Sequence, residues 1–116
     1  MKDIALTHGF VLGRVDDVPD AGAIVVDFAE GEARLSVLLT RRGAHVAAFH
    51  NRCPHAGYPL ERHDGRVVVQ QQRFIVCTAH GASFVLDDGA CAGGPCNGEA
   101  LSRIAIVVRD GLISVA

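Results

Sequence analysis

Two short stretches of the chain each pair a sulfur donor with an imidazole donor: Cys53-Pro54-His55 and Cys77-Thr78-Ala79-His80. Each box holds both donors within about one turn of backbone, so two loops can present four ligands to one site. Thiolates favour soft metals and iron–sulfur clusters, while neutral imidazole suits iron, copper and zinc. An asymmetric iron–sulfur centre uses this mixture, with two cysteines on one iron and two histidines on the other. Tetrahedral zinc also accepts two cysteines and two histidines, but its pairs usually segregate by type, whereas each box here mixes them. A catalytic Cys–His pair accounts for one box and leaves its matched twin unexplained.

The elements that must position these boxes follow from the rest of the chain. Its 116 residues suit one domain with a real core. Hydrophobic residues make up 49% and the net charge is −2, too small an imbalance to suggest nucleic-acid binding. The arginines are scattered and Lys2 is the sole lysine, so no basic patch is legible. The stretch from Met1 to Phe10 lacks the pattern of a secretory signal, and no apolar run is long enough to span a bilayer. These features predict a soluble cytoplasmic protein. Cysteines are normally kept reduced in that compartment, so four in a short chain point to metal binding before disulfides.

The hydropathy pattern is strand-like almost throughout. Ala33, Leu35, Val37 and Leu39 alternate with Arg34, Ser36 and Leu38, the period of a half-buried strand. Ile104, Ile106 and Val108 alternate in the same way with their neighbours. Shorter apolar pieces lie at 23–28, 46–49, 67–69, 74–76, 84–86 and 112–115. Turn signals separate them, among them Arg42-Gly43, Asp64-Gly65, Asp87-Asp88-Gly89 and Asp110-Gly111. No helical stripe is sustained. The pattern predicts a single all-β domain, with a base from residues 1–50 and 98–116 and a smaller ligand-bearing part from 51–97. Both boxes follow strand patterns, so loops at neighbouring strand ends can bring Cys53, His55, Cys77 and His80 together.

Around the boxes, Asn51-Arg52-Cys53-Pro54-His55-Ala56-Gly57, Pro59-Leu60 and Cys77-Thr78-Ala79-His80-Gly81-Ala82-Ser83-Phe84 resemble the two cluster loops of the Rieske family. Gly94-Pro95 resembles that family's proline loop. The likeness covers the whole chain, as a small soluble Rieske-type ferredoxin or a reductase small subunit. It implies stacked antiparallel sheets with a small cluster-binding subdomain. It also implies a [2Fe-2S] cofactor with Cys53 and Cys77 on the inner iron and His55 and His80 on the outer one. Two ferric ions, two sulfides and two thiolates sum to zero charge when both histidines are neutral. An all-cysteine cluster is more negative and resists reduction more strongly, so the mixed set raises the potential.

The neighbours of the ligands tune that potential. High-potential Rieske proteins carry hydroxyl donors where this chain has Ala82 and Phe84. They also tie their loops with a disulfide where it has Tyr58 and Ala79. The resemblance therefore implies a potential near the negative end of the Rieske range, about −150 mV. Ser83 compensates only if its hydroxyl turns to the cluster, which strand alternation disfavours. Cys91 and Cys96 flank Ala92-Gly93-Gly94-Pro95, and the compartment favours two reduced cysteines over a disulfide. His8, His45, His50 and His63 read as ordinary exposed or partly packed side chains. Arg52 and Arg62 flank the first loop and are candidates for docking an acidic partner.

No second metal motif and no dinucleotide fingerprint stand out, and 116 residues are too few for an added oxygenase catalytic domain. The expectation is a monomeric one-electron carrier, not itself an enzyme, between a flavin-dependent reductase and a terminal oxygenase. The small subunit of an assimilatory nitrite reductase and a cluster-dependent sensor that gates partner binding are the alternatives. Neither membrane nor nucleic acid is expected as a partner.

Overall fold

In the computed structural model, residues 2–54, 58–62, 64–77, 81–94, 96 and 98–116 are described. His55, His80, His63, Ala79 and Pro95 lie outside them. Three sheets account for most of the described chain. The central one joins β1 (Lys2–Asp3), β3 (Gly22–Glu30), β4 (Ala33–Arg42), β5 (His45–His50) and β10 (Arg103–Ile104). A second is built from β11 (Ile106–Arg109), β12 (Leu112–Val115) and β2 (Val11–Arg14). The third is a meander of β6 (Val68–Gln70), β7 (Phe74–Cys77), β8 (Ala82–Val85) and β9 (Cys91–Gly93). Pairing is antiparallel except for the two-residue contact of β1 with β4. One 3-10 turn, Val15–Asp17, is the only helical element among the described residues, and no helix there is long and apolar enough to cross a membrane.

The expected strand at β4 is present, but it is not half-buried. Leu35, Val37 and Leu39 pack into one core with Leu12, Ile104 and Ile113. Leu38 faces the other way, into a second core with Phe49, Ile75 and Phe84. Period-2 geometry sends alternate side chains to opposite faces, and here both faces are covered. β5 divides in the same manner, with Ala47 and Phe49 in the second core and Ala48 in the first. The central sheet is thus the middle layer of the molecule, with the β2–β11–β12 core on one face and the β6–β9 meander on the other.

The alternation from Ile104 to Val108 does not form one strand. The chain leaves the central sheet after Ile104 and joins the second sheet at Ile106. Ala105 marks the switch, its carbonyl accepting the Ala116 amide at 3.0 Å. Because β11 has one neighbour only, Val108 is 46% exposed where the pattern placed it inside. The next turn follows its sequence closely. Asp110 and Gly111 take φ of 53° and 77°, the pair of left-handed conformations that joins β11 to β12 in a two-residue hairpin.

Candidate metal centre

Each box begins at the end of a strand and is clasped by its own cysteine. After β5 the chain turns, and the Cys53 amide donates to the Tyr58 carbonyl at 2.7 Å, closing the first loop. At the end of β7 the Cys77 carbonyl accepts from the Gly81 amide at 2.8 Å, closing the second. Both thiol side chains point inward, at 0% and 1% exposure, and both belong to the core beneath the central sheet. His55 and His80 lie outside the described residues.

The first loop has a brace that the sequence did not announce. Asn51 Oδ1 accepts from the Leu60 amide at 2.8 Å, while its Nδ2 donates to Ser36 Oγ at 3.0 Å and to Glu61 Oε2 at 2.9 Å. Ser36 in turn donates to Asp27 on β3. One amide side chain therefore ties both ends of the Cys53 loop to the central sheet. Its partners are up to 15 residues away in sequence, so no local spacing identifies it. Leu60, 1% exposed, then plugs the loop into the core.

In the second loop the strand register fixes what surrounds Cys77. Cys77 faces Ala82 and Ile75 faces Phe84 across β7 and β8. Directly opposite residues share a face, so the methyl of Ala82 and the ring of Phe84 occupy the side of the sheet that carries Cys77. Ser83 falls on the opposite face, as alternation predicts. The side of β8 shared with Cys77 thus offers no hydroxyl. Tyr58 is 53% exposed beside the first loop.

The remaining cysteines correct the sequence-based reading. Cys91 and Cys96 form a disulfide, with Cα atoms 5.7 Å apart. The compartment argument favours a reduced pair, but the chain turns at Gly94, with φ of 81°, and the two cysteines come within bonding range. Cys53 and Cys77 stand outside that bond. The four cysteines therefore sort into one stapled pair and two buried thiols on two clasped loops. A charged thiolate buried without compensation is costly, and a bound cation offsets that cost. This donor set fits a metal centre. His8 and His45 are exposed and His50 is half-buried, in keeping with their ordinary reading, and His45 Nε2 donates to the Asp87 carbonyl at 2.9 Å.

A family model for the Rieske [2Fe-2S] domain matches residues 8–109. The chain belongs to the Rieske family. The cofactor of a Rieske domain is a [2Fe-2S] cluster with mixed cysteine and histidine ligation, and the two buried thiols agree with its sulfur half. The solved structures similar to this Rieske domain share its all-β fold. The ferredoxin of carbazole 1,9a-dioxygenase from Nocardioides aromaticivorans IC177 superposes with a TM-score of 0.68 at 24% identity, covering 95% of this chain and 98% of that one. A ferredoxin from Sphingomonas yanoikuyae B1 gives 0.68 at 23% identity over 92% and 96%. The terminal oxygenase of carbazole 1,9a-dioxygenase from Novosphingobium sp. KA1 gives 0.70 at 22% identity, over 93% of this chain but 30% of that one. No curated protein is similar enough to match.

Proposed function

We propose that this Rieske domain is a ferredoxin, a one-electron carrier that receives electrons from a flavin-dependent reductase and passes them to a terminal oxygenase. The observation that carries the reading is the sorting of the cysteines: Cys53 and Cys77 are buried in one core, each clasping its own loop, while Cys91 and Cys96 pair elsewhere. Cys53 and Cys77 then hold the inner iron as thiolates, and His55 and His80 hold the outer iron through neutral imidazole nitrogens. When bound, the cluster supplies a one-electron couple. The chain's part is to deprotonate two thiols, exclude water from them and hold the loops, the first through the Asn51 brace and the second through the Gly81–Cys77 backbone bond. The match to two ferredoxins over nearly their full length supports a carrier rather than a catalyst. One of the similar structures is a complex of reduced oxygenase with oxidised ferredoxin, which supports an oxygenase as the acceptor. We place it in the cytoplasm as a monomer, with residues 1–50 and 98–116 as the base and 51–97 as the cluster-binding part.

Low-temperature EPR of dithionite-reduced protein, with iron and sulfide quantified on the same sample, tests the ligand assignment. The expected result is a rhombic signal with an average g below that of all-cysteine clusters, lost in Cys53→Ser and Cys77→Ser. Zinc in place of iron, in protein grown with ample iron, overturns it. Rapid reduction by a flavin reductase followed by reoxidation by a terminal oxygenase is the expected carrier behaviour. Partner affinity that follows the redox state without turnover marks a sensor instead.

A further inference from the structure

The Cys91–Cys96 disulfide lies where a change in its state reaches the second ligand loop. It brackets the segment 92–95, whose Gly94 is pressed against the backbone just after His80. A Cβ built on Gly94 falls 2.6 Å from the Gly81 carbonyl oxygen and 2.9 Å from the Ala82 Cα. With φ at +81°, Gly94 also occupies a conformation that other residues rarely adopt. Gly81 is the residue whose amide closes the Cys77 loop, and Ala82 sits opposite Cys77. The staple is anchored on the same strand, because Cys96 Sγ lies 3.6 Å from the Ser83 carbonyl oxygen and 3.2 Å from that of Gly93.

The two sulfurs are not equivalent. Cys96 is fully buried in the core that holds Cys53 and Cys77, whereas Cys91 is only partly buried at its edge. We propose that Cys91–Cys96 is a thiol–disulfide exchange site for dithiols, entered at Cys91, and that its reduction releases Gly93, Gly94 and Cys96 from β8. A dithiol's thiolate attacks Cys91 Sγ, a mixed disulfide forms, and the bond to Cys96 breaks. Cys96 leaves as a thiolate and takes a proton. The second thiol of the reagent then displaces Cys91, which leaves in the same way, and the reagent departs as its own disulfide. Two electrons and two protons pass from the dithiol to the chain. A short loop gives the staple little entropy of closure to resist this, and in a reducing compartment such bonds are usually transient. The site is separate from any bond between the two ligand loops, since Cys91 lies on β9 and Cys96 just beyond it.

The exchange itself does not depend on the electron-carrier reading; only its consequence for the ligand loop does. The test compares full-length protein oxidised with diamide and protein reduced with dithiothreitol, both without denaturant. Alkylation with iodoacetamide and peptide mass mapping should show Cys91 and Cys96 protected in the first sample and labelled in the second. Amide hydrogen exchange across residues 81–85 should rise about tenfold on reduction and return on reoxidation. The double variant Cys91→Ser/Cys96→Ser should resemble the reduced protein and ignore dithiothreitol. Failure of diamide to form the bond, failure of dithiothreitol to break it, or equal exchange at 81–85 in both states overturns the proposal. The wild-type comparison decides it even if the variant does not fold. Neither readout uses the cluster, so a negative result here is distinct from failure to carry electrons.

Discussion

At the scale of single residues, the informative feature around Cys77 is a methyl group where a hydroxyl would fit. Ala82 is fully buried and directly opposite Cys77, so Ala82→Ser places a donor beside the sulfur without changing the strand. A hydrogen bond to a charged acceptor contributes about 1.5–3 kcal/mol, and for one electron a factor of ten corresponds to about 59 mV. A redox titration of the loaded protein should show the midpoint rising by about 60–130 mV; no shift or a fall refutes the argument that the absent hydroxyls at Ala82 and Phe84 set a low potential. A second residue acts through pH. The Gly43 amide donates to Asp20 at 2.7 Å and holds its carboxyl below the ordinary value, with the charge of Arg41 acting in the same direction. The ionised form is favoured by folding, so the stability it adds is fully present above about pH 4 and disappears as pH falls through the folded value. Urea unfolding should show wild type ahead of Asp20→Asn at neutral pH and the two converging in acid. A gap that persists unchanged into acid assigns the effect to something other than Asp20's charge. Cys53 and Cys77 were legible as candidate ligands because their spacing is local. Asn51 was visible only as part of a motif, because its role lies in contacts with Ser36 and Glu61 that folding creates.

At the scale of elements, alternation located β4 and a short apolar run located β5, but neither says what covers their second faces. A half-buried and a fully buried strand differ at few positions, and in β4 the difference rests on Leu38 and Thr40. Thr40 is the one buried polar side chain among the described residues, and its hydroxyl donates to the Leu86 carbonyl at 2.7 Å. That bond pins the turn between β8 and β9 to the central sheet. Thr40→Val preserves shape and leaves the carbonyl without its donor, a loss of about 1–3 kcal/mol. Chemical denaturation should find that loss, and an unchanged midpoint would mean that water or backbone motion satisfies Leu86. The break at Ala105 was hidden for a related reason: a chain that changes sheets can keep its period while its neighbours change. The disulfide was hidden by chemistry, because compartment argues about thiols in general and not about a loop that folds its own ends together.

At the scale of the molecule, the central sheet separates a purely structural core from the core that contains both candidate cysteine ligands. Leu38 and Leu39 are adjacent in sequence, both at 0% exposure, and face opposite cores. Replacing either with alanine removes the same side chain from a closed interior, at a cost of about 2–5 kcal/mol. The layering requires that these similar losses have different consequences. Leu38→Ala opens space in the core lined by Cys53, Cys77 and Phe84, so the loops that these cysteines clasp lose packing beneath them. Leu39→Ala opens space on the other side, among Leu12, Ile104 and Ile113, and leaves the ligand loops supported. Both variants should unfold at lower urea, while only Leu38→Ala should broaden the EPR lines and speed loss of iron to a chelator. Equal perturbation of the cluster by both would mean that the sheet transmits strain across its thickness, and the division into a structural face and a ligand face would fail.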